Sequence, residues 1–293
     1  MQTKIPFPLA VPCGAPPRKI WRQRVIRWLL VVAAFVWSSG FGAFMSPSHA
    51  EDAEVAARRS SERLNFSDSE IAEGFFAVAF GAELQFGKRV ERIRKFDEPV
   101  RVFLDNRTLR RRTAEVGAAV ADIGARVHHL DIAMTHDRNA ANVIVRIVRE
   151  RDFRQTLSAR FGAEKAKKII HSLKPVCLSG IGKDETFRIR RAEVFLSGDV
   201  DDFTFVDCVY EELLQALGPI NDTGSVPWTM FNDSVQKGFF DRYDQYLLNI
   251  LYDPLITPGM TKEDVKKMLP EVLPEVRERV SSLSALTAVS SPR

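Results

Sequence analysis

Apolar and polar positions alternate from Pro99 to Asp105, with Val100, Val102 and Leu104 set against Arg101 and Phe103, and Asp105-Asn106 closes the run. That is the pattern of a half-buried strand followed by a turn. Asp131 to Met134 predicts a second strand. Asn142 to Val148 is the most β-branched run in the chain and predicts a central strand. Phe187 to Leu196 predicts a further strand, and the alternating Arg188 and Arg190 are what an edge strand would carry. Between these runs the apolar spacing is helical. Ser67-Asp68-Ser69-Glu70 has the capping-box pattern ahead of Ile71, Phe75, Phe76, Val78 and Ala79. Helices are predicted over 108–125, over 150–171 with a break at Gly162, and from Thr204 to Leu217, where Gly218-Pro219 enforces the stop. Two more are predicted over 239–252 and 262–269, the second opened by Thr261. The order implies an α+β fold with a mixed twisted sheet packed on helices.

The ends read differently. Residues 1–50 run from a basic stretch through an apolar stretch, Trp28 to Phe44, to Ser48-His49-Ala50, the three zones of a secretory signal. Cleavage is expected after Ala50; the alternative is a retained leader anchoring the chain in the inner membrane. Residues 51–66 are charged and lack apolar periodicity, which predicts a flexible linker. The folded domain is expected over 67–270, with a C-terminal tail over 271–293. The location follows from the leader: periplasmic or secreted.

Charge changes the picture once its position is considered. Of 42 Lys and Arg, six lie in the first 50 residues, which hold no Asp or Glu, leaving 36 to face 38 acidic residues. The +4 balance therefore belongs to the leader, and an electrostatic case for nucleic-acid binding fails. Of the three cysteines, Cys13 precedes the apolar stretch. Cys177 and Cys208 remain, and in an oxidising compartment they read as one disulfide rather than two free thiols.

Residues 211–221 hold the most chemistry: Glu211, Glu212, Gln215, Gly218 and Asn221 have the spacing E-E-x-x-Q-x-x-G-x-x-N. This resembles the H-E-x-x-H-x-x-G-x-x-H zinc signature of the metzincin metallopeptidases, with Glu211, Gln215 and Asn221 in the three ligand places and Glu212 in that of the general base. Ser225 to Met230 resembles the Met-turn, and the helix ending Leu-Leu-Asn-Ile-Leu-Tyr252 looks like the clan's C-terminal helix. The stretch from about 67 to 260 also resembles an uncharacterised family of proteobacterial envelope proteins, a domain of unknown function whose hallmark is the run from Cys208 to Asp222. The resemblance implies a metzincin-like sheet with an antiparallel edge strand packed on the signature helix. It does not supply an activity.

Zinc wants imidazole, thiolate or carboxylate. Of the three ligand places only Glu211 offers one, and the histidines at 128, 129, 136 and 171 have no ligand spacing to it. No metal and no cofactor are favoured. Were a hard cation to bind, Glu211, Asn221 and Asp222 would be the oxygen donors. The favoured reading is a non-catalytic module, a pseudo-metallopeptidase, that holds an envelope protein, peptide or cell-wall component through Glu211, Gln215, Asn221, Asp222, Trp228 and Met230. In it, Glu211, Gln215 and Asn221 form a hydrogen-bond network that holds the sharp turn. The alternative is a metal-dependent or carboxylate-based hydrolase with Glu212 as its base.

Overall fold

The computed structural model describes residues 53–81, 91–110, 112–173 and 175–290. The leader reading for residues 1–50, Cys13 included, lies outside them. Five strands form one sheet in the order β2-β1-β3-β5-β4: β1 (Val100–Asn106), β2 (Ile132–Met134), β3 (Val143–Val148), β4 (Cys177–Lys183) and β5 (Ile189–Ser197). All pairs are parallel except β4 with β5. The β-branched run is the centre of the sheet, as its composition predicts.

One sheet face is set by the register Val102↔Val143↔Ala192, continued by Val145↔Val194 and Ile147↔Leu196. It is buried in a core shared with α2 (Asp68–Ala79), α3 (Thr113–Arg126), α6 (Asp202–Ala216), α7 (Arg242–Tyr252) and α8 (Lys262–Ser290). On the other face Val148, Phe195 and Leu178 pack against Phe153 and Leu157 of α4 (Glu150–Phe161) and Ala166 and Ile169 of α5 (Ala163–Leu173). Gly162, at φ +85°, separates those two helices where the break was expected. Ser67 caps α2 reciprocally with Glu70.

Several boundaries differ from the sequence reading, each for a local reason. The strand carrying Arg188 and Arg190 is β5, and it lies inside the sheet between β3 and β4. Arg188 precedes the strand and Arg190 and Arg191 occupy its exposed first turn, while the rest of β5 is buried. The edge on that side of the sheet is β4, whose Ser179, Gly180 and Gly182 give it little β signal. The helix expected from 108 begins at Thr113, because Asn106 Oδ1 accepts from the Thr108 backbone N–H (2.9 Å) and its amide donates to Arg110 O (2.9 Å), forming a turn that competes with helix.

Residues 53–60 of the expected flexible linker form α1 (Ala53–Ser60). Val55 is its one buried residue, set against Phe203 and Phe239, and Arg58 and Arg59 lie over those two rings at 4.5 and 4.2 Å. Most of the expected tail is helical too, since α8 runs through Pro270 and Pro274 to Ser290. Both prolines are exposed, and Val265, Leu269, Val272, Val276 and Val280 make a buried stripe on the opposite side.

Candidate functional site

Helical spacing puts Glu211 and Gln215 on one side of α6, which Asp201 caps by accepting from Thr204 N–H (2.9 Å). The helix ends where Gly218 turns at φ +141°; a Cβ there would run into the Arg94 carbonyl oxygen, so only glycine fits. The disulfide Cys177–Cys208 ties the start of β4 to the middle of α6, with the Cα atoms 5.9 Å apart.

Gln215, 3% exposed, is the hub. Its Oε1 accepts from Ser179 Oγ of β4 (3.0 Å) and its Nε2 donates to Asp222 Oδ1 (2.6 Å). Its amide is thereby committed on both sides. Of the three expected network members, Gln215 makes its bonds with Ser179 and Asp222 and not with Asn221. Asn221 points away: its amide donates to Ala77 O (2.7 Å) and its backbone N–H to Val78 O (3.3 Å), so it holds the end of α2. A zinc site in the metzincin manner does not fit these residues, because two of the three ligand places are neutral amides and each is engaged elsewhere.

The acidic group that does form is Glu211, Asp222 and Asp233, whose carboxylate oxygens all lie within 4.8 Å of one another. Asp233 takes the place expected of Asn221. It was missed because it lies 11 residues past Asp222 with no spacing that relates it to α6. An all-oxygen set of this kind suits a hard cation or a positively charged side chain, not zinc. Glu212, next to it on the helix, is 5% exposed.

Met230 and Trp228 are not parts of this group. Met230 is 1% exposed, and its N–H donates to Asp244 Oδ2 (2.9 Å). Trp228 packs against Phe66 and Tyr243, with ring centroids at 6.0 and 6.3 Å, and lies under Arg63 at 4.4 Å. Buried carboxylates that the sequence reading passed over hold the loop that follows α6. Asp244 also accepts from Thr229 Oγ1 (2.5 Å), and Asp207 accepts from the N–H groups of Lys237 (2.7 Å) and Gly238 (2.8 Å). Burial pushes both carboxyls above the ordinary aspartate range. The neighbouring Asp241 adds to this at Asp244, while the hydrogen bonds oppose it at both. The only sequence signal was an Asp at the third position of a helix, at Asp244, and a lone Asp among apolar helix positions, at Asp207.

These features, from the Cys208–Asp222 run to the folded segment around it, invite comparison with known proteins, and residues 68–271 match the family described as Protein of unknown function (DUF2927). The chain belongs to the DUF2927 family. The match takes in every strand, the signature helix and the acidic group, so the site described above lies wholly within the family's domain. Comparison with curated proteins and with solved structures returned no match.

A second mixed group lies apart from α6. His128, His129 and Glu275 bring ligand atoms within 4.8 Å of one another, although the sequence gives the histidines no metal spacing. His129 also lines a cavity of about 580 Å³ with Lys95, Asp97, Asp131, Arg188 and Tyr252. Lys95 Nζ donates to the carbonyls of Leu251 (2.9 Å) and Asp253 (3.0 Å), satisfying the last carbonyls of α7. Burial holds this ammonium down to about 8, against the pull of Asp253 and Asp97.

Proposed function

We propose that this DUF2927 protein is an exported envelope protein whose domain is a non-catalytic relative of the metzincin architecture, and that it holds an extended peptide along β4. The observation that carries the reading is that β4, beside the acidic group, pairs with β5 alone among the described strands. Ser197 N–H donates to Val176 O (2.8 Å), and the antiparallel register continues from there, so Cys177, Ser179 and Ile181 turn their backbone groups away from β5 toward the sheet edge. An added strand would take those groups. Ser179 is also joined through Gln215 to Asp222, which sets the carboxylates of Glu211, Asp222 and Asp233 close to the peptide path and selects for Lys or Arg in it. The antiparallel edge strand packed on the signature helix supports the metzincin-like reading, and the disulfide supports an oxidising compartment.

The convergence of three carboxylates also favours the hydrolase reading, in which Glu212 would be the base, and one experiment separates the two. Short extended peptides with and without a central Lys are tested for binding and for cleavage. Binding that prefers the Lys peptides, is weakened by Asp233→Asn and is abolished by Ile181→Pro supports the proposal. Binding that survives Ile181→Pro, or none to any peptide, overturns it. Cleavage that Glu212→Gln reduces by the roughly 10²–10⁴-fold worth of a general base replaces it with the hydrolase.

A further inference from the structure

On the sheet face opposite the signature helix, the carboxyl ends of β1 and β3 open into a cavity of about 650 Å³ whose wall contains five arginines, Arg107, Arg138, Arg146, Arg149 and Arg160, and a single acid, Asp152. Topology brings them together from four stretches of chain. Arg107 follows β1, Arg146 and Arg149 lie within and just after β3, and Arg160 is in the last turn of α4. The connection from β2 to β3 must pass β1, and it sets Arg138 5.7 Å from the Phe103 ring. At these strand ends the chain leaves in opposite senses, from β1 to α3 on one face and from β3 to α4 on the other. In open sheets with parallel strands such a crevice is where ligands bind.

The arginines are only partly neutralised. Asp105 is shared by Arg107 (2.9 Å), Arg146 (2.7 Å) and Arg138 (3.5 Å). Glu193, whose side chain is 3% exposed, is shared by Arg146 (3.3 Å), Arg191 (2.7 Å) and Arg160. Asp152 pairs with Arg149 (2.7 Å) and lies 3.9 Å from Arg151. Three carboxylates thus serve seven guanidiniums. The two deeply set carboxylates fix the fan of arginines in place, and four of the five in the wall keep 44–57% of their side chains open to solvent. Burial pulls Arg146 below its ordinary range despite Asp105, and the like charges of Arg138 and Arg107 pull the same way. The cluster carries positive charge in excess of what the protein itself compensates.

We propose that this cleft binds a ligand with two or more phosphate groups. Planar guanidiniums match phosphate oxygens two at a time, several preset forks favour a multivalent anion, and the volume suits a small molecule or a headgroup. Gln155 and Thr156 in the wall add uncharged polar groups. The ligand is either free or carried on a lipid, and the chemistry recognised is the same.

The test titrates the full chain with inorganic pyrophosphate by calorimetry, and separately with phosphatidylcholine vesicles with and without cardiolipin, whose headgroup carries two phosphates. Arg138→Gln/Arg149→Gln is the decisive variant, because both side chains are half-exposed and the fold does not lean on them; its folding is checked by circular dichroism. Arg110→Gln, outside the cleft, is the control. Losing two charge-assisted contacts should weaken binding about 100-fold, and the control should stay within about twofold. Pyrophosphate binding lost in the double variant establishes a free ligand. Binding seen only on cardiolipin vesicles, and lost in the same variant, establishes a lipid-borne one. No binding in either arm, or binding that the double variant retains within about threefold, overturns the proposal.

Discussion

The two faces of the sheet use charge in opposite ways. Around α6, polar groups are tied to one another: Ser179 to Gln215, Gln215 to Asp222, and buried carboxyls to backbone N–H groups. At the carboxyl ends of β1 and β3, two carboxylates are outnumbered by the guanidiniums around them. The first region carries the spaced Glu211, Gln215 and Asn221, and the two amides hold neighbouring loops. The second carries no motif, and its charge points into a cavity. A charge cluster therefore forms on each face, and only one of the two is announced by a spacing in the sequence.

The largest way to test the first half of that contrast is to cut the covalent tie between β4 and α6. Cys177→Ala/Cys208→Ala opens a loop closed over 31 residues and should lower stability by about 3 kcal/mol. Denaturant midpoints with and without reductant measure it: the wild type should lose stability on reduction and the variant should not change. A wild type indifferent to reductant would mean that the hydrogen bonds alone fix β4 against the helix.

Next in size is the hub. Gln215→Leu keeps the volume but leaves the Ser179 hydroxyl without its acceptor at a buried site, at a cost of about 2 kcal/mol. Pairing it with Ser179→Ala sharpens the result. If the two groups serve mainly each other, the double variant should recover much of that loss, because both partners are then apolar. Full additivity would make the Gln215–Asp222 bond the stabilising one.

How much of this was legible beforehand follows from how local each cause is. Val143 to Val148 as the central strand, the Ser67 cap and the Gly162 break are set by residues within a turn or two, and the sequence predicts them. The spacing at 211–221 identifies the turn at Gly218 and singles out Gln215, but not the partners Gln215 takes. Asn221 goes to α2 and Asp233 comes in because the loops that carry them are placed by buried Asp244 and Asp207, and no local pattern announces that. Charge normally protects an edge, so the sequence points to the arginine-bearing segment as the edge strand, whereas Arg190 and Arg191 stand at the exposed start of the interior strand β5. The cleft was invisible for the same reason: Arg107, Arg138, Arg146, Arg149 and Arg160 are scattered over 54 residues of chain, and only the crossovers collect them.

The smallest expected effect gives the two regions opposite signs with pH. At Asp105 burial raises the carboxyl, but the hydrogen bond from Arg107 and the charges of Arg107, Arg146 and Arg138 outweigh it, and the net shift is downward. Its contribution is present above the ordinary aspartate range and lost as pH falls through the lowered value. Asp207 and Asp244 are shifted upward by burial, so the unfolded chain ionises first. Their contribution is fullest in acid and falls as pH rises through the raised values. Stability measured by denaturant from about pH 3 to 7 separates the two without relying on absolute energies. Asp105→Asn should flatten the acid limb and leave the rest of the profile unchanged. Asp244→Asn should flatten the decline toward neutral pH, even though the amide offers one acceptor to two donors and lowers stability throughout. If both variants flatten the same limb, the contrast in charge between the two faces is not a contrast in energetics, and the arginine cluster is only another self-satisfied network.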